Sequence, residues 1–464
     1  MIFLGLKREL KLMKYLWLRW NKGDLRTEQQ QLAEEGRDTS SVDSEFARLL
    51  AEDIPEDAQF QKVMDDLLDK ARLLPMRPDY RYVEPSDLKT IRIHRVAGPR
   101  VLPVTHAEAV RRDHIAGAWL GRCAGCLLGK PIEGALRPRV RQLLDRFGYE
   151  EIPDYIWRLP GLTEADCANF GWQNPWSYIN TDSFPGDDDT NYTVMGMLLV
   201  QQKGINFTPS DMADFWLENI PLLRTCTAER VAYRNFTNLI EPPESAVVRN
   251  PYREWIGARI RADFFGYVAL GHPELAAELA WRDASISHVK NGIYGAMWVA
   301  AMLAAAINQT DVRRIIEIGL AEIPEKSRLF EAITDILNRY AAGASYSETV
   351  QYIHRRWDET RPHHWCHSIS NAQIVAMGLL YGEGDYEKAI TRTALVCFDT
   401  DCNGATVGSI MGMMLGARAL PEKWTGVMND TIHTDLPGYQ TTRISKLSEE
   451  MFQIHQSMRQ VQKF

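Results

Sequence analysis

Two runs of glycine spaced four residues apart constrain this 464-residue chain more than any other feature. Gly117, Gly121, Gly125 and Gly129 recur between His114 and Pro131, and Gly404, Gly408, Gly412 and Gly416 recur after an acidic motif near the other end. A spacing of four sets each run along one face of an α-helix. Glycine inside a helix costs about 1 kcal/mol relative to alanine, so such stripes need an offsetting contact, and backbone-to-backbone packing of buried helices provides one. Gly292, Ala296, Ala300 and Ala304 form a third stripe between them. Membrane helices use similar stripes, but Arg122 and Lys130 interrupt the apolar stretches here. Strand signals are weak: Thr90 to Val96 alternates, but no series of strands and turns accompanies it. The expected fold class is all-α.

The rest of the chain divides unevenly. Residues 21 to 90 are charged and polar and read as two or three amphipathic helices. We therefore expect an N-terminal helical extension over residues 1–100 and a main domain over 101–464. The extension could serve as an oligomer contact, a lid or a packing buttress, and its sequence favours none of these. Within Met1 to Trp20, Lys7, Arg8, Lys11 and Lys14 break every apolar run, which argues against both a membrane span and a signal peptide. A cytoplasmic protein with no membrane partner is the expectation. Seven irregularly spaced cysteines fit reduced thiols better than a disulfide framework. The net charge of -8, without a basic stripe, excludes nucleic acid as the expected partner. A long segment from Gly148 to Pro185 carries Trp157, Trp172, Trp176 and Tyr178. Such aromatics either anchor a loop to the core or stack on a ligand ring.

The chemistry rests on two acidic clusters. Gly186-Asp187-Asp188-Asp189-Thr190 precedes the helix-forming segment Asn191 to Gln202, and Asp399-Thr400-Asp401-Cys402-Asn403 precedes the second glycine stripe. Aspartates at a helix start can cap free amides and meet the positive end of the helix dipole. For either cluster alone, capping and metal binding are equally good explanations. Three consecutive acids exceed what a cap needs, however, and both helices are apolar enough to be buried. Should the two ends meet, five carboxylates would share one desolvated region, which is costly unless cations neutralise them. Oxygen ligands of this kind select Mg²⁺, Mn²⁺ or Ca²⁺.

With these motifs in order, the sequence resembles the ADP-ribosylglycohydrolase family over roughly residues 108 to 430. Gly117 to Glu133 is similar to its opening Gly-rich helix and the Pro and Glu that close it. Asp187 to Thr190 resembles the Thr-Asp-Asp-Thr motif, and Ser287-His288 with Asn291 to Ala306 resembles the central Ser/Thr-His helix. Asp385 to Trp424 resembles the closing Asp-Thr-Asp motif with its Gly-rich helix. The resemblance implies an orthogonal helical bundle holding two Mg²⁺ ions, with Mn²⁺ as an alternative. It implies Asp188, Asp189, Asp399 and Asp401 as metal ligands, and Glu133 beside the scissile ribosyl bond, in substrate gating or proton transfer.

Departures accompany the matches. Asp187 stands where the family has a Thr ligand, and Cys402 where it has Thr or Ser; a thiol suits Mg²⁺ poorly. Cys126 replaces an Asp, and Cys397-Phe398 replaces two glycines. We assign Asp187, Asp188, Asp189, Asp399, Asp401 and Cys402 to the expected metal centre, and Glu133 and Asp401 to catalysis. Cys123 and Cys126 read as small core residues, His288 as a structural histidine, and His363, His364, Cys366 and His367 as a cluster whose spacing matches no common zinc site. The expected activity is metal-dependent hydrolysis of an N- or O-ribosyl bond, releasing ADP-ribose from a conjugate. Two alternatives stand beside it: hydrolysis of a small free riboside, and a catalytically silent ADP-ribose-binding protein.

Overall fold

The computed structural model describes residues 18–51, 54–169 and 181–462. The chain is all-α: 64% is helical, and among the described residues the only sheet is a two-stranded antiparallel ribbon of Thr431–His433 and Thr441–Arg443, with Thr431 opposite Arg443.

The two glycine-striped helices, Glu108–Gly129 and Thr400–Leu415, are antiparallel partners at the centre. A Cβ built on Gly117 would lie 2.5 Å from Gly412 O, one on Gly121 2.3 Å from Gly408 O, one on Gly125 2.0 Å from Gly404 O, and one on Gly129 2.2 Å from Thr400 O. Only hydrogen fits along this seam. Gly416 differs from its three predecessors: it ends its helix at φ +83°, a left-handed conformation that glycine adopts without strain. The third stripe lies in the buried helix Lys290–Ala306, where the Ala300 carbonyl approaches Gly266 of the helix Asp263–Val268.

The extension contributes the helices Lys22–Glu34, Asp43–Leu50, Ala58–Arg72 and Leu88–His94. Thr90 to Val96 alternates as a strand would, yet most of it is helical, because the Asp87 side chain accepts the Thr90 N–H at 2.9 Å and caps a helix there. Leu25, Leu32, Phe46 and Leu67 of the extension join the same continuous apolar core as the central helices. Buried ion pairs join the extension to the rest of the chain: Arg253 to Glu28 at 2.6 Å and to Glu35 at 2.9 Å, Arg230 to Asp24 at 2.8 Å, and Arg328 to Glu84 at 2.8 Å.

The segment from Gly148 to Pro185 is partly ordered into a short turn at Ile156–Arg158 and a helix at Glu164–Asn169. Trp157 stacks on Tyr155 at 4.5 Å, and the Tyr155 hydroxyl donates to Trp424 O at 2.7 Å, so this aromatic pair anchors the segment to the core. Trp172, Trp176 and Tyr178 lie outside the described residues, as does most of the Met1 to Trp20 stretch. Among the described residues no helix is long and apolar enough to cross a membrane.

Candidate metal and catalytic site

The glycine seam decides where the acids go. Because Gly129 packs on Thr400, the chain leaving the first helix and the chain entering the second share one end of the pair; Thr400 Oγ1 donates to Gly129 O at 2.8 Å. Glu133, Asp399 and Asp401 consequently bring one ligand atom each to within 4.8 Å of one another. The ribbon delivers the other cluster: Phe184 N donates to Thr431 O at 2.8 Å and Phe184 O accepts from His433 N at 2.9 Å, which clamps the segment running into Asp187. Asp187 then caps the helix Asp188–Lys203, its carboxylate accepting the Asp189 N–H at 2.9 Å. Ligand atoms of Asp189, Asp401 and Cys402 form a second group within 4.8 Å, and those of Cys126, Asp187 and Asp189 a third.

Cations missed by the sequence reading hold this arrangement. Arg122, buried within the first glycine helix, donates to Asp189 O at 2.7 Å and Asp189 Oδ1 at 3.1 Å, and also pairs with Asp263 at 3.0 Å. Lys130 pairs with Asp187. Arg259, fully buried, donates to Asn403 Oδ1 at 2.6 Å. The available signal for Arg122 was a lone arginine inside a helix otherwise built of small and apolar residues. Were all six aspartates nearby (187, 188, 189, 263, 399 and 401) ionised, three of their charges would exceed these three cations before Glu133 is counted.

The titration behaviour reflects that excess. Burial, followed by the charges of Asp187 and Asp401, pushes Asp188 up to about 8. Burial also drives Asp189 and Asp399 well above the ordinary carboxylate range and raises Asp401. Asp187 runs the other way: burial opposes ionisation, but Lys130 beside it holds the carboxyl below its usual value. Glu133 is exposed, yet repulsion from Asp401, then loss of hydration, pushes it up to about 10. Buried carboxylates of this kind exist as protonated acids or as cation ligands. Asp189 Oδ2, fully buried and without a hydrogen-bond partner, is compatible with the second description.

Of the sequence-derived candidates, Asp187, Asp189, Asp399, Asp401, Cys402 and Glu133 meet within these groups. Asp188 is half-buried and outside them, though close enough to feel Asp187 and Asp401. Cys123 and Cys126 are buried free thiols, and Cys126 additionally faces Asp187 and Asp189. Burial raises the Cys126 and Cys402 thiols well above their normal range, keeping both neutral. Cys397 and Phe398, immediately before Asp399, both adopt left-handed backbone at φ +66° and +62°. Such geometry costs non-glycine residues about 1–2 kcal/mol each, so strain is stored directly behind the second cluster. His288 is buried beside Ser287 Oγ at 2.8 Å, within the network of Arg261 and Asp283.

The family model of the ADP-ribosylglycohydrolases matches residues 107–460. The chain belongs to this family. An ADP-ribosylglycohydrolase is a glycosidase acting on ribosyl bonds. A solved structure described as an ADP-ribosylglycohydrolase-related protein complex is 18% identical, covers 75% of this chain and 99% of its own, and has a TM-score of 0.47. No curated protein matches the sequence.

Proposed function

We propose that this family member is a divalent-cation-dependent hydrolase that releases ADP-ribose from an N- or O-linked conjugate. The observation that carries the reading is that Asp401, at the joined ends of the two glycine-packed helices, groups with Glu133 and Asp399 on one side and with Asp189 and Cys402 on the other, with Asp189 Oδ2 buried and unpartnered. Asp189, Asp399 and Asp401 would hold the cation or cations, with Asp187 and Asp188 adjacent; Mg²⁺, or Mn²⁺ in its place, suits an all-carboxylate set. The bound cation supplies Lewis-acid polarisation and charge neutralisation at the ribose hydroxyls.

The protein's own residues perform the remaining tasks. Lys130 keeps Asp187 ionised and anchored, and Arg122 fixes Asp189 by gripping both its backbone and its carboxylate, so the cluster is held before substrate arrives. Glu133 is the exposed acid of its group, and hence the one a leaving group entering from solvent would meet. In this reading it would pass a proton between the attacking water and the departing acceptor. Cys402, where a hydroxyl ligand would be harder, leaves that position to water.

The test is release of free ADP-ribose from arginine-, serine- and acyl-linked conjugates, with Mg²⁺ or with chelator, comparing the native chain with Asp401→Ala. Metal-dependent release abolished in the variant supports the reading and names the linkage. ADP-ribose binding without release would favour a silent binder, and release from simple ribosides alone would move the substrate to a small free riboside. Neither binding nor release would sink the ligand assignment.

A further inference from the structure

The segment from His363 to His367 touches the extension on one side and the acidic centre on the other. Three imidazoles face the extension. Trp255 Nε1 donates to His363 Nδ1 at 3.1 Å, Asp358 N to His364 Nδ1 at 3.0 Å, and Ile369 N to His367 Nδ1 at 3.1 Å. Each Nδ1 is therefore an acceptor, and each neutral ring carries its proton on Nε2. Of these Nε2 groups, that of His364 meets Glu34 Oε1 at 2.9 Å and lies 2.7 Å from the Gln30 side-chain amide of the same helix, while His363 Nε2, 3.4 Å from Glu34 Oε2, and His367, grouped with them within 4.8 Å, make no hydrogen bond through Nε2. Glu34 is the last residue of the helix Lys22–Glu34, where the helix dipole disfavours a carboxylate. Burial opposes its ionisation too, yet the imidazoles hold it far below the usual range.

The spacing of Glu34, His363 and His367 would also admit a metal ion. Coordination through Nε2 needs a lone pair there and a proton on Nδ1, and each of these three Nδ1 atoms already faces an N–H donor. The cluster is thus a set of imidazoles gathered beside a carboxylate from the extension, with His364 hydrogen-bonded to it.

Cys366, between those histidines, turns the opposite way. Its buried Sγ donates to Asp399 Oδ2 at 3.5 Å. The segment cannot shift independently of the core, because Ile256 N donates to Cys366 O at 2.9 Å and Ser368 N donates to Glu254 O at 3.1 Å. We propose that Glu34 and Cys366 are positioning residues: the extension, latched through Glu34 to His364 beside Cys366, fixes the Cys366 thiol that orients Asp399 for cation binding. This inference rests on Asp399 being a metal ligand, and it gives residues 18–100 a role in the site as well as in the core.

The experiment is Mn²⁺ titration of the full-length chain, followed by the electron paramagnetic resonance of free Mn²⁺, for Cys366→Ala, Cys366→Ser, Glu34→Gln, the Glu34→Gln/Cys366→Ala pair and Asp399→Asn. Loss of an outer partner of a ligand typically weakens metal affinity 10- to 100-fold, and that range is expected for Cys366→Ala, with Cys366→Ser, which keeps a donor, affected less. Glu34→Gln should weaken binding in the native background and add nothing once Cys366 is alanine, a non-additivity that general destabilisation would not produce. Unchanged Mn²⁺ affinity in Cys366→Ala, or independent multiplicative effects in the pair, would overturn the proposal while Asp399→Asn still abolished binding. Intact binding in Asp399→Asn would remove the metal reading itself, and the proposal with it.

Discussion

Replacing Gly125 by alanine tests the contact on which the whole site depends. On an exposed helix the change would stabilise by about 1 kcal/mol. Here the new Cβ would sit 2.0 Å from Gly404 O and 2.6 Å from Gly404 C. Both are backbone atoms with no rotamer to escape into, so the helices must part by about 1 Å. Overpacking of that kind costs about 3 kcal/mol at the upper end of its usual range, leaving a net loss of about 2 kcal/mol after the propensity gain. The same displacement separates Glu133 from Asp401, and a misplacement of about 1 Å at a reacting centre lowers rate by roughly 100-fold. Thermal unfolding, Mn²⁺ titration and ADP-ribose release should therefore all fall together. Gly148→Ala is the control: at φ +74° with no atom within 4 Å of its Cβ, it should lose about 1 kcal/mol to backbone strain and leave Mn²⁺ affinity alone. A Gly125→Ala chain as stable as the native one, with unaltered Mn²⁺ binding, would refute the backbone-to-backbone seam.

Two further perturbations probe the charges around that seam. Arg122→Met keeps volume but strands Asp189 and Asp263 without their buried partner, and should destabilise by about 3–5 kcal/mol; a denaturation midpoint within error of the native value would contradict the ion-pair account. His455, 1% exposed, is depressed to about 4, chiefly by burial and against the pull of the Val268 carbonyl, which its Nδ1 meets at 2.9 Å. Because its folded value lies below the unfolded one, stability is fully present above about pH 6.5 and declines as pH falls towards 4, by about 3 kcal/mol in total. His455→Leu should flatten that part of the stability–pH curve relative to the native chain, and parallel curves would show that the ring does not titrate there.

Much of this was legible before any coordinates. Spacing four on glycine identified the two central helices, because a stripe of residues without side chains has few uses other than letting backbones touch. The acidic clusters were legible for a related reason: three aspartates in a row are too many for a cap. Thr90 to Val96 shows the limit of periodicity, since a single capping aspartate at 87 outweighed the alternation. Arg122 was visible as a charge out of place, but its partners Asp189 and Asp263 lie 67 and 141 positions further along, and no local pattern links them. The histidines gave no hint that they would gather beside Glu34, with His364 hydrogen-bonded to it, because that depends on how the extension packs and on which N–H donors meet each Nδ1.

By itself, then, the sequence determined the helical class, the central glycine pair and the identity of the acids, all of which rest on local spacing and side-chain chemistry. Tertiary structure alone decided that Gly129 would meet Thr400, which sets Glu133 against Asp399 and Asp401, and that the extension would reach Asp399 through Cys366. Those outcomes depend on the antiparallel register of distant helices and on where buried charges find partners, and both are set when the whole core packs.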